Sequence, residues 1–217
     1  MAIATVTVRP KQTPVLPQSP PLSFAEYIEQ ERTSDVKHHY YYGRLIEVAG
    51  ATYEHNVING NLIIGLGIAL GDADCNVMPS NMKVFVSPNV GYYPDVVVSC
   101  GPPLITLGEA LQNPVLIAEI LSPSTAANDR GEKFRQYRTV SSLHHYLLLE
   151  QDRPILEHFE RDDAGAWTLR GEYDALEQNL ALTVSGHKIS VPLAKIYRNV
   201  TFPALAPSAI DPAATEE

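Results

Sequence analysis

Pro114-Val115-Leu116-Ile117-Ala118-Glu119-Ile120-Leu121-Ser122-Pro123-Ser124 is the stretch on which the reading of this chain turns. An aliphatic run of this kind fits a central strand buried on both faces. Glu119 interrupts it. A carboxylate there is strongly desolvated unless a cation or a hydrogen-bond donor compensates it. Ser122-Pro123-Ser124 turns the chain, and Asp129 to about Val140 reads as a helix, with Asp129 as N-cap and Glu132 three residues on. Asp129, Lys133 and Tyr137 recur at i, i+4 and i+8, along one helix face. Lys133 could therefore lean back toward Glu119, although an isolated lysine on a charged helix is more often a surface residue. Arg130, Lys133, Arg135 and Arg138 make this helix locally basic.

Two more acids sit in apolar strand sequence. In Tyr93-Pro94-Asp95-Val96-Val97-Val98, Pro94 cannot donate a ladder hydrogen bond and fits the start of a strand, which leaves Asp95 at the strand's mouth. Glu47 stands in Leu45-Ile46-Glu47-Val48. Taken alone, Asp95 could simply close a Pro–Asp turn, and Glu47 could be the exposed residue of an alternating edge strand. Together with Glu119 they would supply the all-oxygen donor set that a hard cation such as Mg²⁺ or Mn²⁺ prefers.

Around these residues the chain reads as one mixed α/β unit. Ser23-Phe24-Ala25-Glu26 has the form of a capping box, opening a helix to about Thr33. Tyr40 to Val48 reads as a hairpin turning at Gly43, and His55 to about Leu70 as a helix on a sheet. Strands are expected at Val77–Val86, Asp95–Cys100, Val115–Leu121, Tyr146–Leu149 and Ile155–Arg161. A second hairpin pairs Glu157–Arg161 with Trp167–Gly171, and a short final helix is expected at Val191–Tyr197 with Pro192 in its first turn. The order implies a mixed sheet flanked by helices. Prolines 10, 14, 17, 20 and 21, and a tail without Lys or Arg after Arg198, suggest extended arms at 1–21 and 204–217 around a single domain at 22–203.

With 16 Lys+Arg against 25 Asp+Glu among 217 residues, the net charge is −9. That excludes a protein that coats nucleic acid or anionic membrane by bulk charge, but leaves room for a small basic cleft. Cys75 and Cys100 are too few for a disulfide-stapled scaffold, lack CxxC spacing and read as free thiols. The N-terminus does not read as a signal peptide, and no stretch makes a good membrane span, so a cytoplasmic protein is the default. His38-His39 and His144-His145 are adjacent pairs whose side chains, in a strand, point to opposite faces, so neither chelates one metal. His55 could approach the site, although core or capping roles rank ahead of catalysis. Ser122 and Ser124 lack the G-x-S-x-G context of an elbow serine.

Pro94-Asp95, Glu119-Ile120-Leu121-Ser122-Pro123-Ser124, Asp129, Lys133 and Tyr137 together resemble the Uma-type "putative restriction endonuclease" family of the PD-(D/E)XK nuclease superfamily. Tyr42 to Gly50 and His55 also match its pattern, and the resemblance spans roughly residues 23–200. It implies a restriction endonuclease-like fold, a divalent-metal site and phosphodiester hydrolysis. Asp95 and Glu119 would bind Mg²⁺ or Mn²⁺, Glu47 would assist, and Lys133 would be the catalytic lysine. The superfamily's Glu-x-Lys would place a lysine where this chain has Leu121, and Lys133 is the candidate to replace it from the adjacent helix. Nucleic acid, with DNA favoured, is the implied substrate, and folds of this kind often pair as homodimers to cut two strands. The competing reading is a catalytically silent module that keeps the fold for binding or assembly, which the acidic total favours.

Overall fold

A computed structural model describes residues 20–203. Apart from Pro20 and Pro21, the arms expected at 1–21 and 204–217 lie outside the described residues. Helix α1 (Phe24–Glu31) opens with the expected capping box: the Ser23 hydroxyl accepts from the Glu26 amide while the Glu26 carboxylate accepts from the Ser23 amide. Strands β1 (His38–Tyr41) and β2 (Arg44–Glu47) form the expected hairpin. Its two turn residues, Tyr42 and Gly43, both have positive φ, the geometry that matches strand twist in a two-residue hairpin. A Cβ at Gly43 would collide with Pro21.

Helix α2 (Tyr53–Leu70) is followed by β3 (Cys75–Pro79), β4 (Lys83–Ser87), β5 (Val90–Tyr92) and β6 (Val96–Cys100). The single strand expected over Val77–Val86 is therefore two, broken by the turn after Pro79. Short β7 (Ile105–Thr106) and β8 (Ala110–Leu111) precede β9 (Leu116–Leu121), all six residues of which are buried. The following helix comes in three pieces: α3 (Ala126–Asn128), a π-helical turn (Asp129–Lys133) and α4 (Phe134–Tyr137). Asp129 is not its N-cap. The helix starts one turn earlier, at Thr125, so Asp129 lies inside it, buried. Strands β10 (His145–Glu150), β11 (Leu156–Arg161) and β12 (Trp167–Tyr173) follow. The hairpin β13 (Asn179–Val184) and β14 (His187–Pro192) was not expected. It claims Val191 and Pro192, so the final helix α5 is only Leu193–Ile196.

These strands make two six-stranded sheets and a separate hairpin. One sheet runs β2-β1-β5-β4-β8-β7 and the other β12-β11-β10-β9-β6-β3. In the second sheet β9 and β10 are parallel and the other pairings antiparallel. A parallel pair needs a crossover, and the crossover here carries α3, the π turn and α4. Alternation along β9 then divides the core. Ala118 and Ile120 face α2 and the β13–β14 hairpin, whereas Ile117 and Leu121 face Phe134, Tyr137 and Tyr146. Glu119 shares the second face.

Cys75 and Cys100 are directly opposite in the β3–β6 ladder, with Cα atoms 3.9 Å apart, and form a disulfide rather than two thiols. Sequence spacing carries no information on strand register, which alone brings them together. Disulfides persist mainly in oxidising compartments, so this pairing does not favour the cytoplasmic expectation. No helix among the described residues is long and apolar enough to cross a membrane.

Candidate active site

The antiparallel register pairs Val96 with Ala118, so one step further on Asp95 lies opposite Glu119. The two acids are tied through the backbone: the Ile120 amide donates to Asp95 Oδ2 at 2.7 Å. The other Asp95 oxygen lies 3.1 Å from His55 Nε2, in the first turn of α2. Asn59, one turn on, donates to the Asp95 carbonyl at 3.0 Å. Helix α2 thus reaches over the end of β6 and holds Asp95 from the side opposite the crossover helix.

Glu119 is 3% exposed. Its Oε1 receives the Lys133 ammonium at 2.8 Å and the Tyr137 hydroxyl at 3.0 Å. Lys133 also lies 3.3 Å from Asp129 Oδ1 and 5.7 Å from the centre of the Tyr92 ring. The π turn accommodates this: it places Asp129 and Lys133 on the buried face, while the Asp129 carbonyl accepts from Tyr146 at 3.0 Å. Such turns recur at functional sites. Burial pushes the Glu119 carboxyl upward, Lys133 opposes that, and Asp95 and Asp129 add to it. For Lys133, burial works against the charge, but Glu119, Asp129 and Asp95 outweigh it and hold the ammonium protonated.

Asp95, Glu119, Asp129, Lys133 and Tyr137 are therefore brought together, with the lysine leaning on Glu119 from the helix. Glu47 is not among them. It pairs in register with His38 and so shares the face toward α1, where His38 Nδ1 contacts Glu31. His39, on the other face of β1, is the hairpin residue that turns toward Tyr92 and Lys133. Glu47 stands exposed on the edge strand. His55 does approach the site, through Asp95, and the i, i+4, i+8 spacing marks Asp129 and Tyr137 as the other members of the cluster.

The donor set fits a hard divalent cation. The Lys133 ammonium contacts two carboxylates, Glu119 and Asp129, with Asp95 as a third nearby charge, so acids outnumber it, and carboxylate oxygens are the ligands such ions prefer. Among the described residues no three Asp, Glu, His or Cys side chains converge as a ready cage. Asp95 and Glu119 are the two acids that face each other across the β6–β9 ladder. The basic helix does not offer a free cationic track. Arg130 is bound to Glu150 and Glu157 at 2.9 and 2.6 Å, and Arg135 to Glu132 at 2.6 Å. Arg138 is exposed and lies over the Phe134 ring.

A mixed sheet that presents an acid at a strand's mouth, a second acid opposite it and a lysine from the crossover helix defines a protein of the restriction endonuclease-like class. The chain belongs to the Uma2 family, described as "Putative restriction endonuclease", which matches residues 24–192. It is 36% identical over 151 residues to "Uncharacterized protein sll1609" of Synechocystis sp., covering 68% of this chain and 85% of that one. It is 33% identical over 184 residues to "Uncharacterized protein slr1290" of the same organism, covering 84% and 95%. The fold is similar to the crystal structure of "a putative nuclease belonging to DUF820" from Anabaena variabilis, with TM-score 0.63, 12% identity and coverage of 82% and 98%.

Proposed function

We propose that this protein is a metal-dependent endonuclease that hydrolyses phosphodiester bonds, with DNA as substrate and Mg²⁺ or Mn²⁺ held by Asp95 and Glu119. The observation that carries this is the 2.8 Å contact of Lys133 with Glu119, which supplies from the helix the ammonium that Leu121 does not. The chemistry a divalent cation supplies in such a site is neutralisation of phosphate charge and acidification of the attacking water. Asp95, oriented by the Ile120 amide and His55, and Glu119, oriented by Tyr137, present oxygens to it. Lys133 stabilises the extra negative charge that develops on the phosphate, a role that needs a charge fixed before the reaction begins. Glu47, on the opposite face of its hairpin, has no part in this assignment.

The second reading is a silent module that keeps the fold for binding or assembly. The ion pairs of Arg130 and Arg135, on a chain of net charge −9, favour it. A cleavage assay on single- and double-stranded DNA and RNA, with Mg²⁺ or Mn²⁺ and Glu119→Gln as control, separates the two. Metal-dependent cutting lost in the variant supports the nuclease. No cutting by the wild type with any metal or substrate supports the silent module. Light scattering tests the accompanying proposal that the protein acts as a homodimer.

A further inference from the structure

His39 is half-buried on β1, with its ring edge-on to Tyr92 at 5.3 Å between centres. The Tyr93 amide approaches its Nδ1 at 3.2 Å. A backbone amide can only donate, so Nδ1 carries the lone pair and the ring proton resides on Nε2. Burial and the nearby Lys133 ammonium push the imidazole down to about 3, so the ring is neutral near pH 7. Nε2 makes no hydrogen bond to the described residues, yet it is not among the buried polar atoms sealed without a partner. The result is an oriented N–H donor with no acceptor among the described residues, and Lys133 and His39 both lie against the Tyr92 ring. A protonated Nε2 has no lone pair to offer a metal ion and can only donate a hydrogen bond. Its fitting partner is an anionic oxygen.

We propose that His39 is a substrate-contacting residue whose Nε2–H donates to a non-bridging phosphate oxygen of the nucleic-acid strand bound beside Lys133. This rests on the nuclease reading for its substrate. With Lys133 it makes a two-point contact, one charged and one neutral, on the phosphate. Neighbouring His38 is turned to Glu31 on the other face and cannot share the task.

Two substitutions divide the ring's two nitrogens. In His39→Asn the amide oxygen can still accept from Tyr93, but nothing reaches the Nε2 position. In His39→Gln the longer amide returns an N–H there. The expected result is that His39→Asn melts within a few degrees of wild type but loses roughly 10–100-fold in kcat/KM on duplex DNA, and that His39→Gln recovers most of the loss. Long-range ¹H–¹⁵N NMR should show the Nε2–H tautomer in the free protein, and its proton should shift when inorganic phosphate is added with Mg²⁺. Cleavage by His39→Asn at the wild-type rate, a proton found on Nδ1, or no shift with phosphate would each overturn the proposal. A wild type that cuts no nucleic acid would refute the nuclease reading alone. The phosphate titration would still decide whether His39 is a phosphate donor.

Discussion

Lys133→Met is the most informative perturbation, because it removes a charge while nearly keeping volume. The Lys133 side chain is 6% exposed, and its ammonium contacts both Glu119 and Asp129. Breaking a buried ion pair by deleting one partner costs about 3–5 kcal/mol, since the remaining charge has no compensation. Glu119 has an escape: burial already raises its carboxyl, so it takes up a proton once the ammonium is gone. That places the loss near the lower end, about 3 kcal/mol, or a fall of roughly 6–12 °C in Tm for a domain of this size. Glu119→Gln in the same chain should return much of it, because a neutral amide needs no counter-charge and can still meet Tyr137. In catalysis Lys133→Met should lower cleavage by ~10²–10³, as expected when one transition-state stabiliser is removed. Thermal melts of the two single variants and the double variant, with single-turnover cleavage by each, check both halves. If the folded Lys133→Met variant cuts at the wild-type rate, the lysine has no role in the mechanism. If its Tm also stays put, the Lys133–Glu119 contact contributes nothing to stability.

Further expectations rest on separate parts of the molecule. Mn²⁺ should raise Tm, with about 2.7 kcal/mol gained at a hundredfold excess over Kd; an equal rise in Asp95→Asn with Glu119→Gln would place the ion elsewhere. His158, buried against His145 at 3.1 Å, is pushed down to about 4 by burial and then by its neighbours. Its folded value lies below the unfolded one, so its contribution is intact above about pH 6.5 and is lost as pH falls toward 4, by up to about 3 kcal/mol. Urea melts at pH 7 and 4.5 should show this loss, and a folded His158→Leu variant should show less of it. Opening the Cys75–Cys100 link, which spans a sequence separation of 25, should cost about 3 kcal/mol through freedom regained by the unfolded chain. A Cys75→Ser, Cys100→Ser protein that melts like wild type would show that the link adds no stability.

What the sequence determined by itself was the local order and the chemistry of the run through Glu119. An aliphatic strand broken by one acid, a proline turn, and a helix with Lys133 four residues after Asp129 are short-range patterns, and short-range physics is enough to read them. The Ser23 capping box and the Gly43 turn were legible for the same reason. Register and facing were decided only in three dimensions. Glu47 and Asp95 looked alike in sequence, yet the hairpin pairs Glu47 with His38 and turns it away from Lys133, while the β6–β9 ladder sets Asp95 opposite Glu119. The same ladder logic joined Cys75 to Cys100 and gave His39, rather than Glu47, a place near the lysine. A one-residue difference in strand register moves a side chain to the other face of a sheet, and the contacts that choose that register come from strands distant in the chain.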